Sequence, residues 1–174
     1  MKYILFAAYL LALGVGYSHA CANPGEVVKE NESQQWLNAH NKARKEVGVG
    51  PLLWDKGLAD LAENYARELA QRCQGLVHSK SGYGENLAAK WGGKPLESMA
   101  VPVGWWVNEK QHYNYKTNSC ARGKVCGHYT QVVWKRSKYL GCGSAHCRQK
   151  NDSIKSFMVC NYDPPGNFRG QKPY

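Results

Sequence analysis

Beyond its first two dozen residues the chain has no long apolar run. A membrane span needs about 20 consecutive apolar residues, so nothing in residues 23–174 reads as one. There is no Cys-x-x-Cys pair, which argues against a zinc cluster, and oxidised sulfurs cannot act as thiolate ligands. There is no His-Glu-x-x-His frame, no glycine-rich phosphate loop behind a strand and no Gly-x-Ser-x-Gly elbow. The zinc-protease, nucleotide-binding and α/β-hydrolase signatures are therefore missing. Acidic residues are few: 13 Asp+Glu stand against 23 Lys+Arg, a net charge of +10. The bases are scattered, with no run longer than Lys135-Arg136, and no zinc-finger or RNA-binding aromatic signature accompanies them. Nucleic acid is thus not an expected partner. For an exported protein, acidic wall or matrix polymers are the better expectation.

Export is what the N-terminus predicts. Lys2 precedes an apolar run from Ile4 to Leu13, followed by small residues and candidate cleavage sites at Ser18-His19-Ala20 and Ala20-Cys21-Ala22. That pattern is a secretory signal peptide over residues 1–22, and the run is too short for a membrane anchor. The remaining 152 residues carry a net charge of +9 and suffice for one domain, residues 23–174. A domain of that size buries roughly 68–70% of its unfolded surface. Seven cysteines stand at 21, 73, 120, 126, 142, 147 and 160. Cleavage after Ala22 discards Cys21 and leaves an even six, which suits a secreted disulfide framework; six cysteines allow 15 pairings, and the spacing does not choose among them. Sequons at Asn31 and Asn151 fit the same route.

Periodicity places helices early and strands late. Ser33 can cap a helix with Trp36, His40, Ala43 and Val47 on one face, ended by Gly48, Gly50 and Pro51. A second opens near Asp55, with Leu58, Leu61/Ala62, Tyr65 and Leu69 at helical spacing, and closes at Cys73 and Gly75. A third is expected over Ser98 to about Tyr113, although Pro102 and Gly104 interrupt its first half and leave the orientation of Glu109 least fixed. Gln111–Cys126 reads as a loop. Tyr139–His146 and Ile154–Tyr162 read as strands about a turn at Gln149–Asp152, and the tail Pro164–Asn167 as irregular. This order indicates an α+β fold with an antiparallel sheet.

Five histidines, 40, 78, 112, 128 and 146, remain after the leader, and none has ligand spacing on its own. Two longer segments say more. Gly127-His128-Tyr129-Thr130-Gln131-Val132-Val133-Trp134-Lys135-Arg136-Ser137 and Phe157-Met158-Val159-Cys160-Asn161-Tyr162-Asp163-Pro164-Pro165-Gly166-Asn167-Phe168 resemble the two signatures of the CAP superfamily of cysteine-rich secretory, antigen 5 and class-one pathogenesis-related proteins. Ala39-His40-Asn41, His78-Ser79, Gly84-Glu85-Asn86-Leu87 and Trp106-Val107-Asn108-Glu109 add to the likeness, which is strongest to the basic plant class-one proteins.

The resemblance implies a three-layer α-β-α sandwich with disulfides 73–142, 120–126 and 147–160. It implies a cleft holding His78, Glu85, Glu109 and His128, a set suited to zinc or another divalent cation, with no cofactor required. It implies no settled catalytic activity; a peptidase built on Ser79 beside His78 is the weaker alternative. It further implies a sterol- or lipid-binding loop, here Trp105, Tyr113 and Tyr115, directed at a pathogen membrane. The tail Pro164–Tyr174 resembles a released signalling peptide. The expectation is a monomeric, antimicrobial defence protein of the extracellular space (the apoplast).

Overall fold

The computed structural model describes residues 30–149 and 152–174. The expected leader and the Asn151 sequon lie outside them. Helix α1 spans Glu32–Glu46. Its cap is Asn31 rather than Ser33: Asn31, in extended backbone, accepts from the Gln34 N–H, and the Ser33 hydroxyl donates to the same oxygen. Asn caps as well as Ser does and stands two residues earlier. A two-residue strand, β1 (Leu53–Trp54), leads to α2 (Lys56–Arg72). Asp55 caps α2 by accepting from the Leu58 N–H, and Cys73 ends it in the left-handed region at φ 52°.

Strand β2 covers Gly84–Trp91, where the sequence showed only a glycine-rich approach. Helix α3 is shorter than expected, Ala100–Asn108, with Pro102 tolerated in its first turn; a 3-10 turn, Glu109–His112, continues it. The segment read as a loop contains a small hairpin, β3 (Tyr113–Asn114) and β4 (Ser119–Cys120), and α4 (Gly127–Val132) follows it. The last strands are β5 (Tyr139–Arg148) and β6 (Ile154–Asp163).

The main sheet has the order β1-β5-β6-β2. Its three long strands are antiparallel as expected, while β1 joins β5 in parallel as a short edge. Side-chain alternation along β6 separates two cores. Phe157 and Val159 join Ala62, Ala66 and Leu69 of α2, whereas Met158, Cys160 and Tyr162 face Trp36, Val103, Trp106 and Val132 of α1, α3 and α4. Helices thus cover both faces, completing the α-β-α sandwich. Helix α2 lies directly on β5, because a Cβ at Gly143 would run into the Glu63 backbone.

One buried cation ties α1 to the segment after α4. Arg44 donates to the carbonyls of Gly50, Val132, Trp134 and Ser137 at 2.7–3.1 Å. Burial pulls its pKa down to about 10, and no carboxylate pairs with it among the described residues.

The disulfides correct the implied pairing. Cys120–Cys126 is as expected, but the other two are Cys73–Cys147 and Cys142–Cys160, not 73–142 and 147–160. Strand register explains the exchange. Cys142 sits directly opposite Cys160 across β5 and β6, with Cα atoms 4.1 Å apart, on the face toward α1 and α3. Cys147 is an odd number of residues further along β5, so it emerges on the α2 face, 6.0 Å from Cys73 at the end of that helix.

Candidate functional site

The four expected site residues form two carboxylate–imidazole pairs. His78, between α2 and β2, places Nδ1 2.6 Å from Glu85 Oε1, and the Ser79 N–H donates to the same oxygen at 3.0 Å. The Glu85 side chain is only 6% exposed, and its Oε2 is buried with no hydrogen-bond partner. In the second pair, Glu109 Oε1 lies 2.6 Å from His128 Nδ1. Its Oε2 accepts from the backbone N–H groups of His128 and Tyr129, at 3.0 and 3.2 Å. The orientation of Glu109 is therefore fixed by the first turn of α4, in spite of the interruption in α3.

An ionised carboxylate can only accept, so each histidine donates from Nδ1 and, when neutral, keeps a lone pair on Nε2. Paired carboxylates orienting an imidazole in this way are the usual outer partners of metal-binding histidines. The two pairs meet β2 at neighbouring positions. Glu85 shares with Leu87 the face toward α2, while Asn86 and Ala88 face α3 and α4, where His128 lies. Among the described residues no three His, Cys, Asp or Glu side chains gather in metal-holding geometry.

A polar chain beneath His128 was not anticipated from the sequence. Asn86 Nδ2 donates to the His128 carbonyl and to the Tyr162 hydroxyl, both at 3.0 Å. The Tyr162 hydroxyl lies 2.8 Å from His40 Nε2, and His40 Nδ1 lies 2.8 Å from the Trp36 carbonyl. Only one proton arrangement satisfies every group: His40 donates from Nδ1 and accepts the tyrosine proton at Nε2. Complete burial lowers the His40 pKa from 6.5 to about 4 and raises that of Tyr162 well above its ordinary value. The ring of Trp106 stacks between Trp36 and His128, at centroid distances of 6.1 and 6.3 Å, and its indole N–H donates to the Leu87 carbonyl. Asn86 follows Glu85 directly in the chain. Its task depends on Tyr162, 76 residues away.

Neither imidazole hydrogen-bonds a serine, threonine or cysteine side chain among the described residues, and Ser79 offers Glu85 its backbone N–H. The nucleophile–base contact of a Ser–His hydrolase is not made here.

The aromatic loop is partly covered. Trp105 is exposed on α3. Tyr113 packs on Tyr129 and donates its hydroxyl to Asn118 Oδ1. Tyr115 stacks on Tyr174, ring centroids 4.6 Å apart, and donates to the Tyr174 carbonyl; Lys172 Nζ lies 4.5 Å from the centre of its ring. The C-terminal tail therefore straps the loop. Thr130 and Gln131 of α4 bind Asn167 and the Gly166 N–H, and a Cβ at Gly166 would meet Trp134 at 2.6 Å. An apolar recess of about 390 Å³ lies elsewhere, between α1 and α3, lined by Ala39, Ala43, Val103 and Val107. Asn31 is exposed at the start of α1, its carbonyl oxygen committed to the cap.

Residues 37–162 match the family described as "CAP: Cysteine-rich secretory protein family". The chain is a CAP protein. It is 46% identical over 173 residues to pathogenesis-related protein 1A of Nicotiana tabacum, covering 99% of this chain and 94% of that one. It is 54% identical over 148 residues to pathogenesis-related protein 1 of Arabidopsis thaliana, covering 84% and 86%. To the basic form of pathogenesis-related protein 1 of N. tabacum it is 52% identical, over 83% and 77%. Among solved structures, the Schistosoma mansoni venom allergen-like protein 4 superposes with a TM-score of 0.60 at 24% identity, covering 84% of this chain and 95% of that one. A structure titled NaASP2 with Zn2+ gives 0.61 at 22% identity, over 88% and 89%. These two likenesses establish the CAP fold and nothing finer. Three disulfides suit such a protein outside the cell.

Proposed function

We propose that this CAP protein is a secreted plant defence protein of the pathogenesis-related 1 type, acting in the apoplast by binding a sterol or related lipid of a microbial membrane. The observation that carries the defence reading is 46–54% identity, over most of the chain, to plant pathogenesis-related proteins. The lipid reading is supported by exposed Trp105 and Tyr115 and by the apolar recess between α1 and α3, whose lining residue Gly104 precedes Trp105 in the chain. Apolar recesses with a few polar groups are what such ligands need.

The donor set also fits a divalent cation. His78 and His128 would present Nε2, with Glu85 and Glu109 holding the rings, and the unpartnered Glu85 Oε2 is the atom that most needs a positive neighbour. When bound, a cation would neutralise that buried carboxylate; no catalytic step is assigned to it. The testing experiment is a titration of the purified protein with ergosterol and with a plant sterol. Saturable binding that falls in a Tyr113→Ala/Tyr115→Ala variant supports the reading, and absence of saturation in the unaltered protein rejects it.

A second reading rests on the tail. Residues 164–174 are irregular and largely exposed, which suits release as a signalling peptide, although the Lys135 N–H, the Tyr115 ring and side chains of α4 hold the tail in place until cleavage. An intact C-terminus on all extracellular protein after pathogen challenge would contradict it.

A further inference from the structure

Charge is distributed very unevenly along this chain. Residues 30–112 contain ten Lys+Arg and ten Asp+Glu, whereas residues 113–174 contain eleven and two. Among those that the structure describes, Lys155 is buried against the rings of Trp91 and Phe157 and Arg148 pairs with Asp152, while Lys172 lies over the Tyr115 ring but stays at the surface. The rest, with Lys172, stand mostly on three segments that the fold brings to one end. Arg122 and Lys124 lie in the loop closed by Cys120–Cys126, Lys135 and Arg136 follow α4, and Arg169 and Lys172 belong to the tail. All six are exposed, and none forms an ion pair among the described residues.

The three segments are fastened together. The Lys135 N–H donates to the Pro173 carbonyl at 2.7 Å, and Asn118 Nδ2 donates to the Gln171 carbonyl at 3.0 Å. Between them lie two hollows of about 310 and 330 Å³ that share Trp134, Gln171 and Pro173, so the tail is their common wall. The first presents Asn118, Thr130, Asn167 and Gln171; the second is rimmed by Lys135, Arg136 and Lys172. Phe168, 47% exposed, stands beside the first.

We propose that this end of the molecule is a binding site for an extended acidic polysaccharide of the polyuronate class. Unpaired cations around a concave surface attract a chain of carboxylates and concentrate it there, while amide and hydroxyl groups match sugar hydroxyls. An exposed aromatic ring supplies a stacking face. A flat bilayer surface fits less well, because Lys135, Arg136 and Lys172 rim a concave hollow rather than a plane. The first hollow adjoins the aromatic loop of the sterol reading at Tyr113, whereas neither hollow is lined by His78, Glu85, Glu109 or His128.

The test measures affinity for a defined-length oligogalacturonate at low and moderate salt. Two variants of equal net charge are compared: Arg122→Ala/Lys124→Ala/Lys135→Ala/Arg136→Ala, and Lys42→Ala/Lys45→Ala/Lys80→Ala/Lys94→Ala on the other elements. Affinity should fall about tenfold or more in the first and stay within about twofold in the second, with a salt dependence that weakens only in the first. Charge reversal, Lys135→Glu/Arg136→Glu, should weaken binding further than neutralisation of the same pair. Equal losses in both sets would mean that net charge alone acts and would overturn the proposal. So would absence of binding in the unaltered protein, or binding to phosphatidylserine vesicles with none to the oligouronate. Sterol titration of the first variant, expected to be unchanged, keeps this outcome distinct from that of the lipid reading.

Discussion

Acidification should destabilise this protein through His40. The ring is completely buried, accepts the Tyr162 proton at Nε2, and has its pKa lowered from 6.5 to about 4, first by desolvation. A proton added at Nε2 would set two donors against each other, since the Tyr162 oxygen already accepts from Asn86. The unfolded chain therefore binds this proton more readily than the native state between pH 6.5 and 4. The native state's advantage is intact above the unfolded value, declines as pH falls and levels off below the folded value. At 1.36 kcal/mol per unit, the His40 share of stability falls by about 2 kcal/mol between pH 7 and pH 5, and by about 3 kcal/mol by pH 4. Urea unfolding at several pH values gives the total; His40→Gln, compared at each pH, isolates the histidine. The variant should be less stable at pH 7, and its deficit should shrink as the pH falls. A deficit independent of pH would refute the assignment of a neutral, buried acceptor.

Four further outcomes follow from packing and connectivity. Arg44→Met removes donors to four carbonyls, three of them buried, and should cost about 3–5 kcal/mol in urea unfolding, whereas a cost below about 1 kcal/mol would show those carbonyls to be otherwise satisfied. Peptide mapping without reduction should recover Cys73–Cys147 and Cys142–Cys160; a 73–142 or 147–160 peptide would contradict the strand register. Gly143→Ala presses a methyl group into the Glu63 backbone and should destabilise by about 1–3 kcal/mol, with an unchanged midpoint counting against close contact of α2 and β5. Gly166→Ala should loosen the tail from Trp134 and Gln131, read as faster carboxypeptidase trimming at Tyr174; unaltered trimming would mean the strap is held elsewhere.

The second helix was legible because its start, stop and apolar stripe all lie within one segment: Asp55 caps, Cys73 ends, and Leu58, Ala62 and Leu69 are buried. The β5–β6 hairpin was legible for the same reason. What escaped was whatever depends on distant partners. Strand β2 is a strand because β6 pairs with it along its whole length, and glycines at its approach concealed this. The disulfide exchange turns on which face Cys147 takes in β5, a property of register rather than of cysteine order. The family resemblance singled out His78, Glu85, Glu109 and His128 as a set, but that they join as two carboxylate–imidazole pairs depends on tertiary contacts. The strap over Tyr115 was invisible because 59 residues separate it from Tyr174. The basic face escaped because charges scattered along the chain converge only when the tail returns to α4.

Native mass spectrometry of the secreted protein, incubated with ergosterol, tests the central claim most directly. The account predicts a mass lacking residues 1–22, short of the reduced chain by three disulfides' worth of hydrogen, that gains one sterol on titration. A product with free thiols that never acquires the sterol mass would contradict both the oxidised scaffold and its proposed task.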